Sequence, residues 1–213
     1  MTTRTIAALC QRSHELSRTK GWYDGEEKDP RPISLVTLLA QSELIEALEE
    51  WRANRKLDEI YFSGPDGIEV PYGSLKEEAP IEKYKPEGIL VEIGDAVIRI
   101  AQRMGSDEAD MQSLIDGLAA ACSAHSITWS SDFETMLATC MADLSMAYLV
   151  TTPGGLALAL ASGMPNVPKH YFASTWMGIF KFCEQNKLDL WGAIELKEKY
   201  NATRPYKHNN KRC

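Results

Sequence analysis

A chain of 213 residues, 44% hydrophobic and 25% charged, has the composition of a globular protein with one sizeable core or two small ones. Its formal charge of −7 argues against general nucleic-acid binding, which needs a basic surface, but leaves room for an anionic small ligand beside a bound cation. Five scattered cysteines (Cys10, Cys122, Cys140, Cys183, Cys213) show no CxxC spacing, so they give no zinc signature and fit a reducing compartment.

The predicted elements are helices, in chain order. The first runs from Thr5 to Thr19 and ends at Gly21; it is amphipathic and lacks a signal-peptide core, which predicts a cytoplasmic protein. The second spans Ser34 to Arg55, after Pro32. Residues 58–88 read as loop, with turn clusters SGPDG and EVPYGS, breakers at Pro80, Pro86 and Gly88, and one short strand near IEVPYG. A third helix covers Ile89 to Met104, and DEADMQSLIDGLAAACSAHS forms a fourth. SSDFE offers a capping box, Ser131 with Glu134, for a fifth helix through Val150.

The most apolar region, Leu144 to Met164, is broken by TTPGG and so predicts no membrane span. A short Ala/Leu helix ending near Gly163 follows. Pro168 suits the first turn of another helix that ends around Asn186. Asp189 caps the last, LWGAIELKEKYN, and the tail from Pro205 to Cys213 is polar and basic. The class is all-α, in a single domain over residues 1–213.

Two helices interrupt their apolar stripes with acids three residues apart: Glu43 with Glu46 in SELIEALEE, and Glu92 with Asp95 in VEIGDAVIRI. Residues at that spacing share a helix face, and Val36, Leu39 and Ala47 lie on the side of Glu43 and Glu46. Partly buried carboxylates are costly unless compensated, and a divalent cation compensates them directly. Two such helices can point four hard oxygen ligands at one spot, a donor set that selects Mg²⁺, with Mn²⁺ as substitute. The opposing reading is a pair of solvated faces, with Asp95 and Arg99 as an ordinary i,i+4 pair.

A faint repeat adds to this. ADLSMAY aligns on SELIEAL, placing Asp143 at Glu43 and Met146 at Glu46. MGIFKF aligned on DAVIRI sets Ser174 opposite Glu92 and Met177 opposite Asp95. Read as a duplication, residues 1–126 and 127–208 are the halves of a pseudo-dimer whose second copy has lost its acids. The alternative is that two amphipathic helices align by chance.

SELIEALEEWR, KPEGILVEIGDAVIRI and KEKYNATRPYKH, in that order and with GWYD before them, resemble the MazG-like, phage-type branch of the all-α nucleoside triphosphate pyrophosphohydrolases. The matching segments cover roughly residues 10–104 and 187–208. The resemblance implies an antiparallel helical bundle that cleaves nucleoside triphosphates to monophosphate and pyrophosphate. Glu43, Glu46, Glu92 and Asp95 would hold Mg²⁺, with Glu46 orienting or deprotonating the attacking water. Lys197, Asn201 and Arg204, with Tyr200 and Tyr206 nearby, would grip the nucleotide, and Trp22 and Tyr23 would stack on its base. It further implies a homodimer with a nucleoside triphosphate as partner, and neither nucleic acid nor membrane. Residues 105–186 depart from the family pattern and look like a fused partner subunit. The rival expectations are a catalytically silent nucleotide-binding or regulatory protein, and a purely structural helical one.

Overall fold

The computed structural model describes residues 4–24, 26–74, 81–106, 111–155, 157 and 167–205. Their helices are α1 (Ile6–Thr19), α2 (Ile33–Arg52), α3 (Ile89–Ser106), α4 (Met111–Ala124), α5 (Phe133–Leu149), α6 (Val167–Gln185) and α7 (Leu190–Thr203). The architecture is all-α with one small sheet. The short Ala/Leu helix and the tail from Tyr206 lie outside the described residues.

Local chemistry sets the ends of these helices. Thr5 caps α1 by accepting from the Ala8 amide, and Asp189 caps α7 by accepting from the Gly192 amide at 3.0 Å. At α5 the cap is Asp132, which accepts from the Thr135 amide at 2.8 Å. The predicted Ser131–Glu134 box is thus displaced by one residue, because a carboxylate is an equally good N-cap and stands next in line.

The segment read as loop contains three short strands: β1 (Tyr61–Ser63), β2 (Glu69–Pro71) and β3 (Lys85–Glu87). They pair antiparallel in the order β2-β1-β3, with Tyr61 opposite both Pro71 and Glu87. Pro86 sits on an edge strand, where its missing N–H is tolerated. Three-residue strands are too short to show alternation, which is why the turn signals dominated the sequence reading.

Helix α3 is the axis of the core. Almost every residue from Ile89 to Met104 is buried, between α1 and α2 on one side and α7 on the other. Helix α5 packs on α6 and against α2, and α4 packs on α6, so α4, α5 and α6 join one continuous apolar core with the other helices. Each fully buried side chain such as Leu44, Ile93 or Phe182 contributes about 1.5–3 kcal/mol relative to exposure. Among the described residues, no helix is long and apolar enough to cross a membrane.

Polar ties fix the register of these helices. Arg103 Nη1 donates to the Asp29 and Arg31 carbonyls at 2.9 Å each, while Arg31 grips Asp29 through bonds of 2.8 and 2.7 Å. That buried knot anchors the entry to α2 on the last turn of α3. Arg12 bonds Glu198 at 2.9 Å and Arg4 bonds Glu195 at 3.0 Å, holding α7 on α1. Lys20 closes the end of α7, donating to the Ala202 and Arg204 carbonyls at 2.6 Å. Gly88 turns the chain from β3 into α3 at φ +119°, and a Cβ there would collide with the Glu59 carbonyl.

A buried acid cluster as candidate metal site

Glu43 from the middle of α2, and Glu92 and Asp95 from the first turns of α3, converge inside the core. Each offers a carboxylate oxygen within 4.8 Å of the other two, and all three residues are buried. Helix geometry explains the arrangement. Glu92 and Asp95 share the face of α3 that meets α2 and α7, while Glu43 continues the buried Val36, Ala40 and Ala47 stripe of α2.

The structure brings three of the four expected acids together and leaves the fourth at the rim. The Glu46 side chain is 48% exposed and lies 3.8 Å from Lys85 Nζ. Three residues is a rotation of roughly 60° short of a full turn, so Glu46 leans out of the helix–helix seam that encloses Glu43. It faces a cleft of about 400 Å³ that Glu50, Tyr61, Lys85, Glu87 and Glu92 also line.

The small sheet builds the far wall of that cleft. Alternation along β3 puts Lys85 and Glu87 on one face and buried Pro86 on the other. Lys85 Nζ bonds Glu87 at 2.8 Å and stands 3.7 Å from Glu92 Oε1. Tyr61, the β1 partner of Glu87, donates its hydroxyl to Glu50 at 2.8 Å. Glu92 is therefore shared: one carboxylate belongs to both the buried cluster and the cleft.

Lys197 lies where the sequence reading did not put it. Expected to meet phosphate oxygens, it is 2% exposed and points into the acids. Its Nζ donates to Glu92 at 3.3 and 3.1 Å and approaches Asp95 Oδ2 to 3.2 Å. Arg99 completes the charge pattern by holding Glu43 Oε1 through Nε at 3.0 Å and Nη2 at 2.9 Å. That is a cross-helix grip, beyond the i,i+4 link to Asp95 weighed from sequence.

The charges divide the acids. Burial pushes Glu43 up to about 7, reinforced by the neighbouring Asp95 charge. Burial also raises Glu92, opposed by Lys197. Burial acts upward on Asp95 too, but Lys197 and Arg99 outweigh it and hold that carboxyl below its usual value. Asp95 is the fixed anion of the site, and its Oδ1 is buried without a hydrogen-bond partner among the described residues.

The donors fit a hard divalent cation. They are all carboxylate oxygens, they are close enough to share one ion, and Asp95 Oδ1 has unused acceptor capacity. Glu43, Glu92 and Asp95 would hold such an ion, with Glu46 reaching it from the cleft side.

The remaining expected residues are neither members of the acid cluster nor among those lining the cleft. Asn201 is half-buried one turn beyond Lys197, and the Arg204 guanidinium lies 5.8 Å from the Tyr200 ring centroid. Trp22 is half-buried in the turn after α1. Tyr23 is fully buried, beneath Arg31 and against His14, so its place is the core and not a base-stacking platform. Sequence reasoning gave no role to Lys85, Glu87 or Tyr61. The only signal was the KPEG turn leading into the second acid helix.

No family model, curated protein or solved structure matches the chain. The functional reading rests on the acid motifs and the geometry they adopt.

Proposed function

We propose that this chain is a Mg²⁺-dependent nucleoside triphosphate pyrophosphohydrolase, converting (d)NTP and water to (d)NMP and pyrophosphate in control of the nucleotide pool. The observation that carries the reading is the convergence of Glu43, Glu92 and Asp95 beside a cleft with Glu46 at its mouth. Glu43 of the first acid pair and both acids of the second, read as candidate ligands from helices forty-odd residues apart, lie against one another in space, which two independent solvated faces would not do.

When bound, Mg²⁺ supplies charge neutralisation for a triphosphate and a more acidic water. The chain's own residues supply the rest. Lys85, partly exposed at the cleft, presents an ammonium to phosphate oxygens. Glu46, exposed at the mouth, holds and accepts a proton from the attacking water. Arg99 keeps Glu43 turned into the site. Arg204, with Asn201, grips the nucleotide from the end of α7.

The extra segment supports a duplication as part of this reading. Asp143 on α5 and Ser174 on α6, the pair that aligns with Glu43 and Glu92, lie close enough for the hydroxyl to offset part of the effect of burial on the carboxyl. Met146 is exposed as Glu46 is, and Met177 is buried as Asp95 is. Thioether and hydroxyl groups are poor Mg²⁺ ligands, so this half would form a wall of the working site without binding metal itself.

One observation favours a second reading, a catalytically silent nucleotide-binding protein. Lys197, Arg99 and Lys85 already provide three positive charges against the three clustered acids. A panel of canonical and modified (d)NTPs with Mg²⁺, read for pyrophosphate and monophosphate together, separates the two. Equal amounts of both products support the hydrolase. Nucleotide binding without either product supports the silent protein.

A further inference from the structure

Resting on that metal-site reading, we propose that Lys197 is a built-in cation of the resting site, which Mg²⁺ displaces toward the cleft, where it becomes available to phosphate. Three observations combine. The ammonium is 2% exposed and lies 3.1–3.3 Å from oxygens of both α3 acids, Glu92 and Asp95. Those acids and Glu43 form the one acid cluster within ligand-sharing distance among the described residues. Asp95 Oδ1 remains buried and without a partner among the described residues even with Lys197 in place, so the ammonium satisfies the cluster incompletely.

The two cations compete for the same oxygens. Magnesium binds carboxylate oxygens at about 2.1 Å, so an ion on Glu92 would lie no more than about 5 Å from the ammonium, at low effective dielectric. Like charges that close repel, and the more mobile partner yields. Arg99 grips Glu43 with two nitrogens of a planar guanidinium, whereas Lys197 is held only by the oxygens of Glu92 and Asp95 that the ion would take, on a flexible four-carbon stem from a separate helix. Glu92 borders the cleft, and Lys85 stands 3.7 Å from the oxygen Lys197 also contacts, so the route outward follows Glu92. Metal binding would thereby arm the phosphate-binding group, giving an order of metal first and nucleotide second. Burial of Lys197 and a role toward phosphate are then two states of one side chain.

Amine acetylation mapped by mass spectrometry reads the exchange directly on the wild-type chain. Lys197 should resist labelling in metal-free buffer and become reactive when Mg²⁺ is added, while exposed lysines label equally in both. In parallel, Mn²⁺ binding followed by electron paramagnetic resonance should tighten by about tenfold or more in Lys197→Met, because the competing charge is gone. A wild-type protein saturated with Mn²⁺ whose Lys197 stays protected overturns the exchange and leaves the acid cluster standing as a metal site. Absence of Mn²⁺ binding in both wild type and Lys197→Met removes the metal site and the exchange together. Should the variant fail to fold, the wild-type labelling decides alone.

Discussion

Lys197 donates to both carboxylate oxygens of Glu92, at 3.3 and 3.1 Å, across 105 residues of sequence. The pair locks α7 onto the start of α3, and both groups are withdrawn from water. Removing Lys197 strips Glu92 and Asp95 of their shared buried cation, at a cost of about 3–5 kcal/mol, whereas removing Glu92 leaves Lys197 still paired with Asp95. Lys197→Met should lower the metal-free melting temperature more than Glu92→Gln does, and adding Glu92→Gln to Lys197→Met should recover only the part of the loss owed to Glu92, because Asp95 stays buried without its cation. Denaturant unfolding of the four proteins measures this coupling, and additive losses would show that the pair is not a unit.

Glu46 should behave differently from Glu92. It is half-exposed and its contact with Lys85 is long, at 3.8 Å. Glu46→Gln is expected to stay within about 0.5 kcal/mol of wild-type stability while losing pyrophosphate release. Unchanged turnover in that variant would return Glu46 to an ordinary surface acid.

The acids were legible in the sequence because helical spacing puts i and i+3 on one face whatever the tertiary structure. That Glu43 turns inward while Glu46 stays at the rim was not legible, since it depends on how α2 rotates against α3. Lys85 was missed for a different reason. Its place beside Glu92 depends on a three-residue strand pairing β1, and such pairing leaves almost no periodic trace. The burial of Lys197 could not be read either: a lysine on a charged C-terminal helix looks solvated until the acids opposite it are known.

Lys85→Met and Arg204→Ala test the two ends of nucleotide binding. Each removes one charge-assisted contact, worth on the order of 1.5–3 kcal/mol, so KM should rise roughly ten- to hundredfold with smaller changes in kcat. Steady-state kinetics on the preferred triphosphate checks both. A variant with unaltered KM and kcat takes its residue out of the binding role.

Asp143 carries a pH prediction for the second half of the chain. Burial raises its carboxyl above the ordinary 3.8, Ser174 only partly offsets this, and its Oδ2 lacks a hydrogen-bond partner among the described residues. A raised native value means the folded state prefers the protonated form, so stability is lost as pH climbs from the unfolded value through the native one. Asp143→Asn should therefore match wild type at pH 3 and exceed it at pH 7, by up to about 1 kcal/mol after solvent screening. A variant less stable at pH 7 than at pH 3, relative to wild type, contradicts that assignment. Calorimetric titration with a non-hydrolysable triphosphate and Mg²⁺ adds the site count. One nucleotide per chain is expected, and two equivalent sites would end the idea of a degenerate half.

The proposed metal-dependent pyrophosphohydrolase site consists of Glu43, Glu92 and Asp95. Its most direct test is pyrophosphate release from the (d)NTP panel by wild type and Asp95→Asn, with and without Mg²⁺, each protein first shown to be helical by circular dichroism. Wild type should release pyrophosphate and monophosphate in equal amounts only with Mg²⁺, and folded Asp95→Asn should release neither. Metal-independent release, or wild-type turnover by the Asn variant, would contradict the account.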